Sequence, residues 1–150
     1  QVFESSEAKH KVLVFLSQKC PCSQSHVSHL NELAKDKDIQ FFGVITDQFT
    51  ADNQKQLIEY FSKDHFQFPI IKDPEQTLIK KYSALKTPHV TIVEGEKSSK
   101  VIYQGGVSNH RFYSQATKKF LKENVDALSS NQKLVYERGP SLGCYIRRIL

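Results

Sequence analysis

Glycine, proline and cysteine are all scarce in this 150-residue sequence, at 6, 5 and 3 residues. So little glycine and proline excludes a collagen-like chain, and together with charges of mixed sign it excludes coiled-coil arrays and wholesale disorder. No apolar run approaches the roughly 18–20 residues needed to cross a bilayer, so we expect no membrane insertion. Three cysteines are too few for the disulfide framework of a small secreted protein, and their number favours redox or metal chemistry.

The length and the balance of residue types predict one compact domain. With 39% apolar and 25% charged residues, the composition is that of an ordinary globular protein. We expect a single domain over 1–150, with a core at about 11–128 and a C-terminal tail at 129–150. The sequence has neither an initiator methionine nor a basic-apolar-small leader pattern. We interpret it as a processed or trimmed chain, compatible with an exported or periplasmic setting.

The net charge of +5 comes from the last third of the chain. Residues 1–100 contain 13 basic and 13 acidic side chains, whereas residues 101–150 contain 8 basic and 3 acidic ones. No nucleic-acid-binding motif accompanies this excess, and a solvated helix face gives the same pattern, so we expect no nucleic-acid partner.

Buried strands alternate with amphipathic helices along the sequence. The first strand is a continuous apolar run, and the first helix carries apolar residues at helical spacing. In chain order the predicted elements are a strand at 12–16, a helix at 23–36, a strand at 39–45, a helix at 52–63 with Leu57, Ile58 and Phe61 inward, a strand at 68–71, a helix capped by Asp73, a hairpin of strands at 90–93 and 101–103, and a long last helix that starts near Ser108 or Asn109, places Phe112 inward and ends at 129–132.

This order predicts an α/β fold. Alternating buried strands and helices form a central sheet with helices on both faces. The first strands are expected to be parallel and the hairpin antiparallel, which makes the sheet mixed.

Two cysteines lie where the first predicted strand ends and the first helix begins, in Lys19-Cys20-Pro21-Cys22-Ser23. A thiol in the first turn of a helix sees unpaired backbone N–H groups and the positive end of the helix dipole, and both stabilise a thiolate. Lys19 adds a positive charge, and Pro21 is preset for the first helical turn. The motif therefore indicates a reactive thiol, the alternative being two small buried residues in a tight turn.

The residues around this motif resemble a known superfamily. A buried strand ending in Cys20-Pro21, an amphipathic helix and a distant Thr87-Pro88 opening a hairpin resemble the thioredoxin-like superfamily, specifically its redoxin branch of thiol–disulfide oxidoreductases and peroxiredoxin relatives. The resemblance covers roughly residues 11–128. It implies a thioredoxin-like fold with Cys20 as the attacking thiol. It also implies a cis bond before Pro88, with the backbone of Thr87 against the reactive sulfur and paired with substrate.

The sequence departs from the family pattern at two points. Thioredoxins carry Cys-x-x-Cys, whereas here Ser23 stands at the fourth position and Cys22 comes one place early. Ser17 fits the slot three residues before a peroxidatic cysteine, but no arginine precedes Arg111 to stand beside the sulfur. We therefore expect a peroxidase less than a thiol–disulfide oxidoreductase.

Cys144 is the third candidate thiol. Gly143-Cys144 resembles the C-terminal Gly-Cys of some redoxin-domain proteins, in which a second thiol on a tail resolves the first. We expect Cys22 or Cys144 to resolve Cys20. A Cys20–Cys22 bridge closes a small strained ring, whereas Cys144 reaches Cys20 with less strain. The alternative for Cys144 is a buried apolar thiol in a docked tail.

Because histidines lie near the thiols in the sequence, a metal site is a second hypothesis. Cys20, Cys22 and either His89 or His26 offer a soft nitrogen and sulfur ligand set suited to copper or zinc. Copper chaperones of cytochrome oxidase assembly are thioredoxin-like and use two cysteines and a histidine, although their cysteines are spaced Cys-x-x-x-Cys. Histidines that face solvent or tune the Cys20 thiol are the alternative.

The sequence thus favours a thiol–disulfide oxidoreductase that acts on protein or small-molecule thiols and disulfides without a cofactor. The predicted site consists of Cys20, Cys22, Cys144, Thr87 and Pro88. A metal-binding or copper-delivery protein is the second hypothesis, and a noncatalytic interaction module is the third. The oligomeric state is left open.

Overall fold

The computed structural model describes residues 8–95 and 100–149. The strands and helices, in chain order, are β1 (His10–Leu16), α1 (Pro21–Ser25), α2 (Val27–Leu33), β2 (Ile39–Ile45), α3 (Gln54–Tyr60), β3 (Ile70–Lys72), α4 (Thr77–Lys81), β4 (Lys86–Thr87), β5 (His89–Glu94), β6 (Lys100–Gly105), a 3₁₀ turn (Tyr113–Gln115), α5 (Phe120–Ser129) and β7 (Cys144–Tyr145). Residues 96–99 of the predicted hairpin connection lie outside the described part. In that part, no helix combines the length and apolarity needed to cross a bilayer.

Five strands form a mixed sheet in the order β3-β2-β1-β5-β6. The β1–β2 and β2–β3 pairs are parallel, whereas β5 pairs antiparallel with both β1 and β6. This arrangement confirms the predicted α/β fold with its parallel first part and antiparallel hairpin.

Helices cover both faces of the sheet because β1 alternates its apolar side chains between two core clusters. Val12, Val14 and Leu16 pack in one cluster with residues of α2, α3 and α5. Leu13 and Phe15 pack in the other with residues of α4. All five side chains are buried, which explains why β1 reads as a continuous apolar run.

The predicted first helix is divided into α1 and α2 at His26. The N–H of His26 donates to the Ser23 carbonyl rather than to Cys22, and the Cys22 carbonyl accepts instead from the Ser25 hydroxyl and the His26 ring. Side chains that compete for a backbone acceptor in this way interrupt a helix. The single helix predicted at 23–36 is therefore wrong at this point.

The α3 and α4 helices are shorter than predicted. Leu57 and Phe61 are buried as expected, but Ile58 is 51% exposed, because it lies about 100° from Leu57 around the helix. Helix α4 begins at Thr77, and the Asp73 carboxylate accepts from the N–H groups of Leu78 and Ile79. Asp73 thus caps the helix from outside rather than standing at its N-cap.

The prediction of one long last helix is wrong in its first half, because α5 begins only at Phe120. The Asn109 side-chain oxygen accepts from the N–H groups of Thr117 and Lys118, and the His110 ring accepts from the Phe112 N–H. These polar side chains hold residues 109–118 as a loop with one 3₁₀ turn, since they take donors that a helix would use. Phe112, predicted to face inward, is 40% exposed.

The tail after α5 runs back across the sheet to the start of α1. At the outer side of β6, the Gln104 N–H donates to the Glu137 carbonyl, and the Gly139 N–H donates to the Gln104 carbonyl. Farther on, β7 pairs antiparallel with β4, Cys144 opposite Thr87. The tail therefore brings Cys144 to the end of β1.

Candidate active site

Cys20 lies after β1 at the N-cap position of α1 and is 2% exposed. Its sulfur accepts a hydrogen bond from the Ser23 N–H at 3.4 Å. An N–H donor at this position stabilises a thiolate more than a thiol. The local structure therefore supports the predicted reactive character of Cys20.

Asp47, at the end of β2, fixes the loop that precedes Cys20. Its carboxylate accepts from the Ser17 hydroxyl at 2.8 Å and from the Gln18 N–H at 2.8 Å. The Ser17 N–H in turn donates to the Ser23 hydroxyl oxygen at 3.0 Å. These contacts give Asp47 a positioning role in the loop.

The Thr87–Pro88 peptide bond is cis. The Thr87 carbonyl oxygen lies 3.4 Å from the Cys20 sulfur, within reach of a thiol hydrogen. Thr87 itself is buried. The structure thus brings Thr87 and Pro88 to the predicted attacking cysteine.

Cys144 forms a disulfide with Cys20, across 124 positions of sequence and with 5.9 Å between the two Cα atoms. Cys22 is a buried free thiol. The three sulfur atoms all lie within 4.8 Å of one another. All three predicted cysteines therefore meet in one cluster, with Cys144 in the partner position.

The two candidate histidine ligands are engaged outside the sulfur cluster. His26 is buried, its Nδ1 donating to the Cys22 carbonyl oxygen at 2.8 Å and its Nε2 lying 2.9 Å from the Ser108 hydroxyl. The His89 ring lies between the Ser141 hydroxyl and the Gln104 amide oxygen. Burial lowers the pKa of both imidazoles. In the described residues the cluster of potential ligands consists of the three cysteines and includes neither histidine, so a metal site that uses His26 or His89 stays a prediction.

His29 on α2 is a half-buried imidazole with a strongly shifted pKa. Its ring stacks on Tyr113 with 4.0 Å between centroids. Burial, His26, Lys119 and Lys122 lower its pKa from 6.5 to about 4. As pH falls below 6.5, the unfolded chain binds a proton that folded His29 refuses until about pH 4, so stability falls across this window.

We expect His29→Phe to remove part of this pH dependence. Phenylalanine keeps an aromatic ring against Tyr113 but cannot be protonated. The wild-type free energy of unfolding should fall by about 1–2 kcal/mol between pH 6.5 and pH 4 because of His29, less than the full pKa shift implies since solvent partly screens the ring, and the variant should lose that contribution. Urea unfolding at a series of pH values measures it, with the exposed His65→Phe as control; equal slopes for wild type and His29→Phe would assign the effect elsewhere.

Gln76 is a site residue that sequence reasoning missed. Gln76 is 1% exposed. Its side chain binds the backbone of the tail, donating to the Arg147 carbonyl at 2.7 Å and accepting from the Ile149 N–H at 3.0 Å. In the sequence Gln76 stands three residues after Asp73, a position typical of a capping-box glutamine, and nothing there indicates contact with the tail. Its tail contact depends on tertiary structure.

A polar cavity of about 600 Å³ opens beside Cys20. Its walls include residues of the Cys20 loop, the β2–α3 connection and the tail; among them are Ser17, Asp47, Asn53, Gln56 and Arg147. The disulfide thus borders a space that can admit a partner.

Comparison with known proteins identifies the family. The Redoxin family model matches residues 1–128. The chain belongs to the Redoxin family. This confirms the predicted redoxin resemblance, and the family match leaves out the tail that carries Cys144. No curated protein sequence matches the chain.

Solved structures share the fold of this Redoxin protein. An uncharacterised conserved protein of Geobacillus kaustophilus is 24% identical with a TM-score of 0.77, covering 97% of this chain and 80% of its own. A hypothetical protein of Sinorhizobium meliloti is 21% identical with a TM-score of 0.73, covering 97% and 82%. A secreted disulfide oxidoreductase of Mycobacterium tuberculosis is 18% identical with a TM-score of 0.50, covering 64% and 69%. These likenesses confirm the thioredoxin-like fold.

Proposed function

We propose that this Redoxin protein is a thiol–disulfide oxidoreductase in which Cys20 attacks and Cys144 resolves. The observation that carries the proposal is the Cys20–Cys144 disulfide at the end of β1, beside Thr87 and the cavity. The substrates are thiols and disulfides of proteins or small molecules. Similarity to a disulfide oxidoreductase supports this chemistry.

The exchange proceeds in two balanced steps. The Cys20 thiolate attacks one sulfur of a partner disulfide, forming a mixed disulfide and releasing the other partner sulfur as a thiolate. The Cys144 thiolate, its proton lost to solvent, then attacks the Cys20 sulfur and releases the second partner thiolate. Two electrons pass from the Cys20–Cys144 dithiol to the partner, and a partner dithiol drives the reverse reaction.

The Ser23 N–H promotes the first step by holding negative charge on the Cys20 sulfur. The pairing of β7 with β4 promotes the second, because it places Cys144 opposite Thr87 and within bonding reach of Cys20. Cys22 lies within 4.8 Å of both sulfurs but is not required by either step.

We expect Cys144→Ser to accumulate a mixed disulfide at Cys20. Equilibration of the full chain in a glutathione redox series, thiol trapping and peptide mass spectrometry measure the bridges. Wild type and Cys22→Ser should form a reversible Cys20–Cys144 bridge, whereas Cys144→Ser should retain glutathione on Cys20, because its resolving thiol is gone. If Cys144→Ser leaves the oxidised species unchanged, Cys144 is not the resolving residue.

The sulfur cluster favours a second candidate, a soft-metal site in the reduced protein. The three sulfur atoms lie within 4.8 Å of one another in the bridged protein. Once the bridge is reduced, they offer three thiolates, a ligand set suited to Cu(I) or Zn²⁺. Metal and disulfide exclude each other, because the bridge consumes two of the three ligands. One metal per reduced chain, with Cys20, Cys22 and Cys144 protected from alkylation, would favour metal binding; alkylation of all three after loading would exclude it.

A further inference from the structure

The tail lies on the protein as an extended peptide lies on a binding site. Lys86 pairs with Tyr145, Thr87 pairs with Cys144, and the Ile146 N–H donates to the Leu85 carbonyl at 2.8 Å. Main-chain pairing of this kind adds a strand to an exposed edge and accepts many side chains. Selectivity must therefore come from the side chains that face the protein.

Two positions of the tail are restricted by what they face. A Cβ on Gly143 would overlap the Thr87 carbonyl oxygen, so only glycine fits directly before the bridging cysteine. Ile146, two positions after Cys144, is buried in the core cluster that contains Leu13 and Phe15. Tyr145, between them, is 78% exposed. The groove therefore fits the pattern glycine, cysteine, any residue, aliphatic residue.

The Gln76 side chain binds the next part of the tail through main-chain atoms of the tail. Its buried amide donates to the Arg147 carbonyl and accepts from the Ile149 N–H. Both contacts are independent of the occupant's side chains. If the tail left with nothing in its place, the Gln76 amide would lose both of these protein partners. The site is thus built for an extended chain at this position.

We propose that the groove formed by β4, Gln76 and the Ile146 pocket binds extended polypeptides of the pattern Gly-Cys-x-aliphatic, and that the protein's own tail competes with them as a tethered occupant. This inference rests on the proposed exchange chemistry. A partner peptide takes the place of residues 143–149 and presents its cysteine to Cys20. The returning tail then delivers Cys144 to the mixed disulfide and displaces the peptide.

The test measures how fast reduced Cys144→Ser protein, full length, captures a peptide. The probe is a nine-residue peptide with the sequence of residues 141–149, its cysteine activated as a 2-thiopyridyl disulfide. Cys20 thiolate attacks the peptide sulfur and releases 2-thiopyridone, so the reaction is followed by absorbance. Matched peptides carry valine in place of the glycine, or aspartate in place of the isoleucine. A small activated disulfide, 2,2′-dithiodipyridine, reports the chemistry without the groove.

We expect the native-pattern peptide to react about tenfold faster than either altered peptide. In the Ile146→Asp background, where the tail holds the groove weakly, adding Gln76→Ala should lower the ratio of peptide rate to small-disulfide rate about tenfold, because it then weakens only the peptide. Ile146→Asp should raise the same ratio, because it weakens the tail's hold on the groove. Equal rates for all three peptides, with normal reaction of the small disulfide, would overturn the inference and leave the exchange chemistry standing. No release of 2-thiopyridone from any probe would instead overturn the proposed function.

Discussion

Replacing Cys20 by serine is expected to lower disulfide turnover by at least about 10³-fold, because the variant cannot form the covalent intermediate. Dithiothreitol-driven reduction of insulin disulfides measures turnover with a protein substrate. A serine hydroxyl at the N-cap position still accepts from the Ser23 N–H, so the fold around α1 should persist. The loss can therefore be assigned to the sulfur.

Cys22→Ser is the matched variant for this prediction. It removes a thiol from the same sulfur cluster but leaves both members of the Cys20–Cys144 bridge, so it should retain most of the turnover. Equal losses in the two variants would place Cys22 in the reaction. Turnover that survives in Cys20→Ser would remove Cys20 from the attacking role.

Reducing the Cys20–Cys144 bridge is expected to lower the free energy of unfolding by about 2–4 kcal/mol. The bridge joins residues 124 positions apart, so it restricts nearly the whole unfolded chain, and long loops lose the most entropy when closed. Urea unfolding of the oxidised and reduced wild type measures the difference. Cys144→Ser should match the reduced protein under both conditions.

Cys22→Ser separates the bridge from the general effect of a reductant. The variant keeps the bridge, so reduction should destabilise it as much as wild type. Equal unfolding free energies for the oxidised and reduced wild type would show that the bridge adds nothing beyond the docking of the tail.

The layout of strands and helices was predictable because local patterns determine it. Strand β1 is buried on both faces and is therefore apolar at every position from Val12 to Leu16. The position of Cys20 at the junction of β1 and α1 follows from the end of this apolar run. Errors arose where polar side chains bind the backbone, as Asn109 does in the loop before α5, because such bonds leave no periodic signal.

The residues of the site were predictable from the sequence, but the disulfide partner of Cys20 was not. The sequence named all three cysteines and left open whether Cys22 or Cys144 is the partner of Cys20. The choice depends on the docking of the tail, which rests on Gln76, Ile146 and the space for Gly143. Gly143 and Ile146 lie far along the sequence from Gln76 and β4, so no local pattern reveals their contact.

The crossing of the tail over β6 has a consequence for solubility. The outermost strand of a sheet exposes backbone donors and acceptors that can recruit another chain and start aggregation. Gln104 in β6 directs its N–H and carbonyl to Glu137 and Gly139, so the tail occupies hydrogen-bonding positions open to a foreign strand. At the opposite margin, β3 is only three residues long. The segment that delivers Cys144 thus also shields the sheet against unwanted self-association.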